Sequence, residues 1–443
     1  METELSSIAE KARRERNYRF KNLVYLVNAE NLKESFVKLK ADRASGIDGV
    51  SMDEYGGNLD TNIADLVARM KRQAYKPQAV RRTYIPKANG KLRPLGIPTV
   101  EDKMVQLCIT RILEAIWEAD FIGTSYGFRK ERSCHRAIAA VNNIVTVKPV
   151  NYVIDADIKG FFDNVNHDWM MECLKQRIAD EDLLRLIKRF LISGYLEAGV
   201  FHDTDKGTPQ GGVISPMLAN IYLHYVLDLW VTKVVKKRMK GFVEIIRYAD
   251  DFVICVQYKD EAETILWMLK ERLEKFGLEL APDKTRIVEF GRFADERTKK
   301  RGGGKPGTFN FLGFTHYCTK SRKGGFKVGR VTERRKLTGR VKELGRWLKG
   351  VRNAVKLETW WRMLKSKMLG HYRYFGVSEN SRGIRNYCYL VKRLAFKWIN
   401  RCSQRKSMNW LGFERYCQRH GFPPARLYVN LYAAPLENEG IGF

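Results

Sequence analysis

Three aspartates in this 443-residue chain stand where carboxylates do chemistry more readily than packing. Asp157 follows the apolar run Tyr152-Val153-Ile154, within Ile154-Asp155-Ala156-Asp157-Ile158. Asp250 and Asp251 lie between two β-rich runs, 243–249 and 252–257. A buried carboxylate must be paired or bind a metal. Acids delivered to one spot by two strand ends make an oxygen-ligand site suited to Mg²⁺. Two such ions, roughly 4 Å apart, activate an attacking hydroxyl and stabilise a leaving pyrophosphate. That chemistry is nucleotidyl transfer. The competing reading makes each acid a helix cap or a turn residue. The seven histidines form no HxxxH or HExxH spacing, and the eight cysteines form no CxxC pair. A catalytic histidine, a disulfide framework and a structural zinc are therefore unsupported, and reduced thiols in a cytosolic-type compartment fit better.

The elements that must position these acids can be read from periodicity. Residues 8–40 read as helical, 45–50 as a turn-rich break and 58–74 as a second helix. Residues 80–86 alternate like a strand, and Asn89-Gly90 is a hairpin signal leading into Lys91-Leu92-Arg93. Residues 101–118, 168–178 and 181–193 have helical spacing. A long amphipathic helix is expected from Val213 to Trp230, after a Pro-Gln-Gly-Gly turn. The runs at 243–249 and 252–257 suggest a hairpin with the acids at its tip, followed by a helix at 261–276 and a strand at 285–290. Residues 294–307 are polar and glycine-rich and read as a linker. Three basic helices follow, at 333–350, 356–375 and 383–402. The plan is an α+β catalytic body followed by a basic helical appendage.

Charge divides the chain at the same place. The whole chain carries 80 Lys+Arg against 50 Asp+Glu, a net charge of +30. Residues 1–290 hold 45 basic and 41 acidic side chains, whereas residues 291–443 hold 35 and 9. Solvated helix faces usually mix both signs. A surplus this one-sided argues for a polyanionic partner, nucleic acid before anionic membrane. No apolar run reaches the ~18 residues of a membrane span, and the polar start Met1-Glu2-Thr3-Glu4-Leu5 is unlike a signal peptide.

The residues around the aspartates add a resemblance. Tyr248-Ala249-Asp250-Asp251 resembles the YxDD signature of reverse transcriptases, and Asp157-Ile-Lys-Gly-Phe-Phe-Asp163 resembles their first palm motif. Pro209-Gln210-Gly211-Gly212-Val213-Ile214-Ser215-Pro216 is similar to the second, in the form used by group II intron reverse transcriptases. Phe311-Leu312-Gly313-Phe314 resembles the primer grip. Upstream, Gly46-Ile-Asp-Gly49, the stretch Tyr84 to Pro98 and Ser125-Tyr-Gly-Phe-Arg129 also match, so the likeness covers about residues 20–420.

That resemblance implies a right-hand polymerase, with fingers, an antiparallel palm sheet and an all-α basic thumb or X domain. The expected bounds are a helical extension over 1–75, fingers and palm over 76–320, and thumb, maturase X domain and tail over 321–443. It implies that Asp157, Asp250 and Asp251, with the Ile158 carbonyl, hold two Mg²⁺ ions, for which Mn²⁺ can substitute. Lys284 falls where the family has a palm lysine able to protonate pyrophosphate. Lys87 and Arg93 match fingers cations on the incoming triphosphate, whereas isolated basic residues are more often surface charges. Phe162 matches a steric gate against the ribose 2′-OH, with core packing as its plain alternative. Gln210 and Gly211 match the nucleotide-facing loop, otherwise a simple turn. Asp163 reads as the cap of the next helix. Phe311, Leu312 and Gly313 are expected to hold the primer end. Trp361, Arg362, Lys365, Tyr372 and Arg373, aromatics interleaved with cations, are expected to contact RNA. The alternative for these is a helical core with a charged face.

The expected activity is RNA-directed DNA synthesis by a group II intron-encoded protein that also assists splicing of its RNA and retromobility. Its expected partners are an RNA template, a DNA primer and deoxynucleoside triphosphates, with no membrane, in a bacterial cytoplasm. One alternative is a maturase, an RNA-binding splicing factor with incidental polymerase activity. Another is a host-adopted reverse transcriptase in DNA repair or phage defence. An RNA-dependent RNA polymerase shares the palm logic, but Phe162 and the YADD tetrapeptide weigh against it. Cys402, Cys417 and His420 do not supply an HNH nuclease set, so second-strand cleavage is not expected of this chain.

Overall fold

A computed structural model describes residues 1–39, 44–86, 92–208, 211–401 and 407–432. In chain order the elements begin with α1 (Glu2–Arg14), α2 (Ala29–Lys38), α3 (Met52–Gly57), α4 (Leu59–Lys71), β1 (Val80–Pro86), β2 (Leu92–Ile97) and α5 (Val100–Trp117). Next come α6 (Cys134–Val147), β3 (Tyr152–Asp157), α7 (Phe161–Asn164), α8 (His167–Lys175), α9 (Glu181–Leu191), β4 (Tyr195–Glu197), β5 (Val200–His202), α10 (Ser215–Leu223) and α11 (Lys236–Arg238). Then β6 (Val243–Tyr248), β7 (Asp251–Val256), α12 (Lys259–Lys275), β8 (Arg286–Glu289), α13 (Ala294–Lys300), β9 (Thr308–Phe311), β10 (Phe314–Lys320) and β11 (Phe326–Thr332) follow. The chain closes with α14 (Arg334–Val351), α15 (Leu357–Phe375), α16 (Ser381–Ile399) and α17 (Trp410–Arg419).

Two compact units result. The first comprises Met1–Arg132, Ala156–Phe252 and Glu263–Arg286; the second comprises Ser133–Asp155, Val253–Ala262 and Ile287–Phe443. At the centre of the first unit lies α5. The Thr99 side chain accepts from the Asp102 N–H and caps its start. Met104, Val105, Cys108, Ile109, Ile112, Leu113, Ile116 and Trp117 are all fully buried along it. A helix apolar on nearly every side must be enclosed, so α5 serves as the post around which the unit packs. The same unit contains a four-stranded sheet, β2-β1-β4-β5, in which Ile85 of β1 lies opposite Arg93 of β2. Asp157 and Asp251 lie on the central strands of another four-stranded sheet, β6-β7-β3-β8. The acids fall at the end of β3 and at the turn between β6 and β7, as the β-rich runs around them suggested.

Four readings of the sequence differ from the structure. The expected helix over 8–40 is two helices, broken by a short 3₁₀ turn at Val24–Leu26 whose Leu23 and Val24 N–H groups donate to Asp180. The helix expected over 213–230 starts at Ser215, with Pro216 in its first turn, and continues beyond 230 through two π-helical turns, His224–Asp228 and Val231–Val235. The linker expected over 294–307 contains helix α13. Arg297 of that helix and Arg301, directly after its end, both pair with Glu289, with Arg297 at 2.6 Å. Tertiary pairing of this kind outweighs a glycine-rich composition. Asn166, which accepts from the Trp169 N–H, caps α8; the exposed Asp163 sits inside α7 and does not cap the next helix.

The second unit carries a three-stranded antiparallel sheet, β11-β10-β9, and the basic helices. Trp360, Trp361, Leu364, Met368 and Tyr372 form a buried stripe on α15. Ile384, Tyr387, Val391 and Ala395 form one on α16. The cations occupy the remaining faces, as amphipathic spacing requires.

Buried histidines give this fold a defined pH response. Burial pushes His224 down to about 4, and His316 and His371 down to about 3. Each folded pKa lies below the ordinary 6.5, so the unfolded chain takes up protons first as pH falls. Stability is full above about pH 6.5 and is lost progressively toward pH 3. The melting temperature is expected to fall across that window. His371 stacks on Tyr387 at 3.6 Å between centroids, and the His371→Phe variant should show a shallower fall. Equal slopes for variant and wild type would contradict this origin.

Candidate active site

The end of β3 is anchored from one side. The Ala281 N–H donates to the Asp157 carbonyl at 2.8 Å, and the Lys159 N–H donates to the Glu279 carbonyl at 2.8 Å. In this antiparallel bridge Ile158 faces Leu280 as a pair that exchanges no hydrogen bonds with it. The Ile158 carbonyl therefore points away from that segment. The turn at Pro282–Lys284 brings the Lys284 ammonium to 2.6 Å from the Asp157 carboxylate.

The second acid is delivered by the β6–β7 turn. Ala249 takes a left-handed φ of 56° there. Burial pushes the Asp250 carboxyl above its ordinary value. Its own backbone N–H opposes the rise, the negative charge of Asp157 adds to it, and Arg93 and Lys284 pull back. Asp157, Asp250, Arg93 and Lys284 thus share one electrostatic neighbourhood. Asp251 is half-buried at the start of β7. Among the described residues no three His, Cys, Asp or Glu side chains gather as a metal cage; the acids drawn together are the pair Asp157 and Asp250. A buried carboxylate whose proton affinity is raised by a neighbouring carboxylate charge fits a site for a hard divalent cation such as Mg²⁺.

Around this pair the loops that resemble polymerase motifs are tied together by backbone hydrogen bonds. Phe162 lies half-buried in α7, its ring edge-on to Phe161 at 5.3 Å. Its carbonyl accepts from the Thr208 N–H at 2.8 Å, the Gly207 N–H donates to Val165 at 2.7 Å, and the His167 ring meets the Gly207 carbonyl at 2.7 Å. Beyond Thr208, Gly211 has a φ of 114°, and a Cβ there would sit 2.7 Å from the Gly96 carbonyl oxygen on β2. Only glycine allows the loop to lie this close to the strand that carries Arg93. The buried Gln106 of α5 accepts the Val213 N–H at 2.8 Å and fixes where the loop becomes α10. Lys87 and Gln210, expected at the nucleotide, lie outside the described residues.

In the second unit, Phe311 closes β9 and Phe314 opens β10, paired across a two-residue turn. Leu312 and Gly313 both have positive φ, 51° and 78°. That is the tight hairpin geometry matching strand twist, normally reserved for Asn-Gly or Gly-Gly. The Tyr374 hydroxyl donates to the Leu312 carbonyl at 3.1 Å and helps hold a leucine in this state. On α15, Arg362 and Arg373 are exposed, and Lys365 is half-exposed with its ammonium 3.1 Å from the His420 carbonyl.

Trp361 and Tyr372 correct the expectation placed on them. They are 2% and 0% exposed. The Trp361 indole donates to the His420 carbonyl at 3.2 Å, and the Tyr372 hydroxyl donates to that of Pro423 at 3.3 Å. Both rings are spent on the helical core and have no face left for a base.

Sequence reasoning passed over the residues that hold the acid turn. Arg247 and Asp228 are both 0% exposed and form a two-point ion pair at 2.7 and 2.6 Å. The same guanidinium donates to Asn220 and to the Ala249 carbonyl, each at 3.0 Å. Asn220 in turn donates to the Gly127 carbonyl at 2.6 Å. A Cβ on Gly127 would meet the Ala249 nitrogen at 2.3 Å. Arg247 is adjacent to the YADD tetrapeptide, which was a usable signal. Asp228 and Asn220 sit 19 and 27 positions away and carried none.

The model of the family described as reverse transcriptase (RNA-dependent DNA polymerase) matches residues 85–316. Protein YkfC of Escherichia coli (strain K12) is 35% identical over 278 residues, covering 56% of this chain and 73% of that protein. The group II intron-encoded protein LtrA of Lactococcus lactis subsp. cremoris is 28% identical over 461 residues, covering 85% of this chain and 73% of its own. An uncharacterized 91 kDa protein in the cob intron of Schizosaccharomyces pombe is 34% identical over 228 residues, covering 50% of this chain and 28% of its own.

Proposed function

The chain belongs to the reverse transcriptase family, and from that premise we propose how its residues carry out RNA-directed DNA synthesis. The fold is α+β, with reverse transcriptase fingers and palm and a helical C-terminal region. The protein is an RNA-directed DNA polymerase of the group II intron-encoded, maturase-related kind.

The reading of the site is carried by one observation: Asp157 and Asp250 share an electrostatic neighbourhood with the cations Arg93 and Lys284. Asp157, Asp250, Asp251 and the Ile158 carbonyl would hold two Mg²⁺ ions, which when bound activate the primer 3′-hydroxyl and neutralise the leaving pyrophosphate. Arg93 pairs with the triphosphate of the incoming nucleotide. Lys284, 2.6 Å from the Asp157 carboxylate, would give a proton to the departing pyrophosphate. The Phe162 ring occupies the space a ribose 2′-hydroxyl needs, and so selects deoxynucleotides. Gly211 lets the loop backbone lie against the nascent pair, and the Leu312-Gly313 turn seats the primer end. Lys87 and Gln210 complete the nucleotide contacts. Arg362, Lys365 and Arg373 neutralise phosphates of the template RNA.

The partners in this reading are an intron-derived RNA template, a DNA primer and deoxynucleoside triphosphates, in a bacterial cytoplasm. Splicing of the same RNA and retromobility are its uses. Among the described residues no helix is long and apolar enough to cross a membrane.

Single-nucleotide extension at rising Mg²⁺ concentration tests the metal role. Activity should vanish in excess chelator and return with Mg²⁺ or Mn²⁺; extension that persists in chelator would overturn it. A second expectation concerns the thumb cations. Each phosphate neutralised contributes about 0.7–0.9 to the slope of log affinity against log salt. The Arg362→Ala/Arg373→Ala variant should therefore bind RNA with a slope shallower by about 1–2. An unchanged slope would place the RNA grip elsewhere.

A further inference from the structure

The β6–β7 turn is held in a backbone state that an alanine adopts only when its surroundings enforce it. Ala249 has a φ of 56°, and it is the residue directly before Asp250. Arg247 supplies the enforcement. Its Nε and Nη2 grip the two Asp228 oxygens at 2.7 and 2.6 Å. This leaves Nη1 to donate to both Asn220 Oδ1 and the Ala249 carbonyl, at 3.0 Å each. The Arg247 backbone is pinned as well: its N–H donates to Thr124 at 2.9 Å, and its carbonyl accepts from the Tyr126 N–H at 2.8 Å. Asn220 closes the ring by donating to Gly127, whose missing side chain admits the Ala249 backbone. Asp228 ends one of the π-helical turns, a local widening that often marks functional positions.

An ion pair whose only task is to sit in the core needs no second pair of acceptors. Here the guanidinium's remaining donors go to the carbonyl of the turn and to the amide that holds the opposing loop. We infer that Arg247, Asp228 and Asn220 form a positioning set that fixes the Ala249 turn and thereby aims Asp250 at Asp157. The set acts on the rate of the chemical step and not on nucleotide affinity, because none of its three members faces the nucleotide-binding residues Arg93, Phe162 or Gly211 through a hydrogen bond. A planar fork is required: a lysine reaches one Asp228 oxygen but cannot also hold Asn220 and Ala249. This inference rests on the proposed role of Asp250.

The test compares wild type with two variants in primer extension on an RNA template, in thermal melting and in backbone amide exchange over 243–256. Arg247→Lys should lower kcat by about 10- to 100-fold, the cost of misplacing a reacting group by about 1 Å. Its nucleotide KM should stay within about twofold. Arg247→Met/Asp228→Leu leaves no buried charge unpaired and should melt near the wild type. Its amides at 248–251 should nevertheless exchange faster, and its rate should stay low. A double variant with wild-type kcat and unchanged exchange overturns the inference, as does a loss of rate that only mirrors a loss of folded protein. Failure of the wild type itself to extend would instead count against the polymerase reading. Amide exchange needs no activity and judges Arg247 in either case.

Discussion

Replacing Asp250 by asparagine is expected to abolish DNA synthesis while leaving the fold as stable as before, or more so. The two effects have one physical origin. Burial and the charge of Asp157 push the Asp250 carboxyl above its ordinary value, so at neutral pH the folded state bears a cost for keeping it ionised. A group with a raised folded pKa of this kind favours the fold at low pH and disfavours it as pH rises through that value. The neutral asparagine removes the cost. It also removes a carboxylate that would hold a metal ion, and losing about 4 kcal/mol of transition-state stabilisation slows the reaction by about 1,000-fold. Melting temperature and single-turnover rate measured on one preparation check both halves. An Asp250→Asn protein that melts well below the wild type would mean the carboxylate is structural. One that keeps its rate would remove it from the metal site.

The next largest effect is expected at Phe162. Shortening the ring to valine should raise incorporation of ribonucleotides relative to deoxynucleotides by about 10- to 200-fold, the range over which pocket contacts discriminate a single small group. Deoxynucleotide kinetics should change little, because the backbone around Phe162 is held independently by Thr208 and Gly207. Competition between the two nucleotide types on one primer gives the ratio directly. An unchanged ratio would return Phe162 to ordinary packing against Phe161.

Much of the catalytic unit was legible because its signals are local. The run from Tyr152 is short, apolar and ends in acids, and two β-rich runs flank Asp250-Asp251; the structure makes them β3, β6 and β7. The apolar spacing from Val100 to Trp117 announced α5. What escaped depends on contacts distant in sequence. The Arg247 pair reaches 19 residues back to Asp228, and neither residue looks unusual in its own window. Helix α13 is stabilised by Glu289, outside the helix, so a Lys- and Gly-rich stretch looked like a linker. The π-helical turns after Leu223 widen a helix whose residue types give no warning.

Trp361 and Tyr372 are a different case, because the information was present. Trp361, Leu364, Met368, Tyr372 and Phe375 recur at three- and four-residue steps, the mark of a buried helix face. Arg362 and Arg373 fall off that stripe. Reading periodicity before composition separates the rings that build the core from the cations left for phosphates.

Asp157 and Asp250 are proposed as the metal-holding centre of a polymerase that copies RNA into DNA. The most direct measurement extends a DNA primer on an RNA template of defined sequence, with Mg²⁺ and all four deoxynucleotides. Wild type and Asp250→Ala/Asp251→Ala are run side by side and the product is sequenced. Complementary DNA is expected from the wild type and none from the double variant, with equal RNA binding by both. Equal synthesis by the two proteins, or none by a wild type that binds the template tightly, would contradict it.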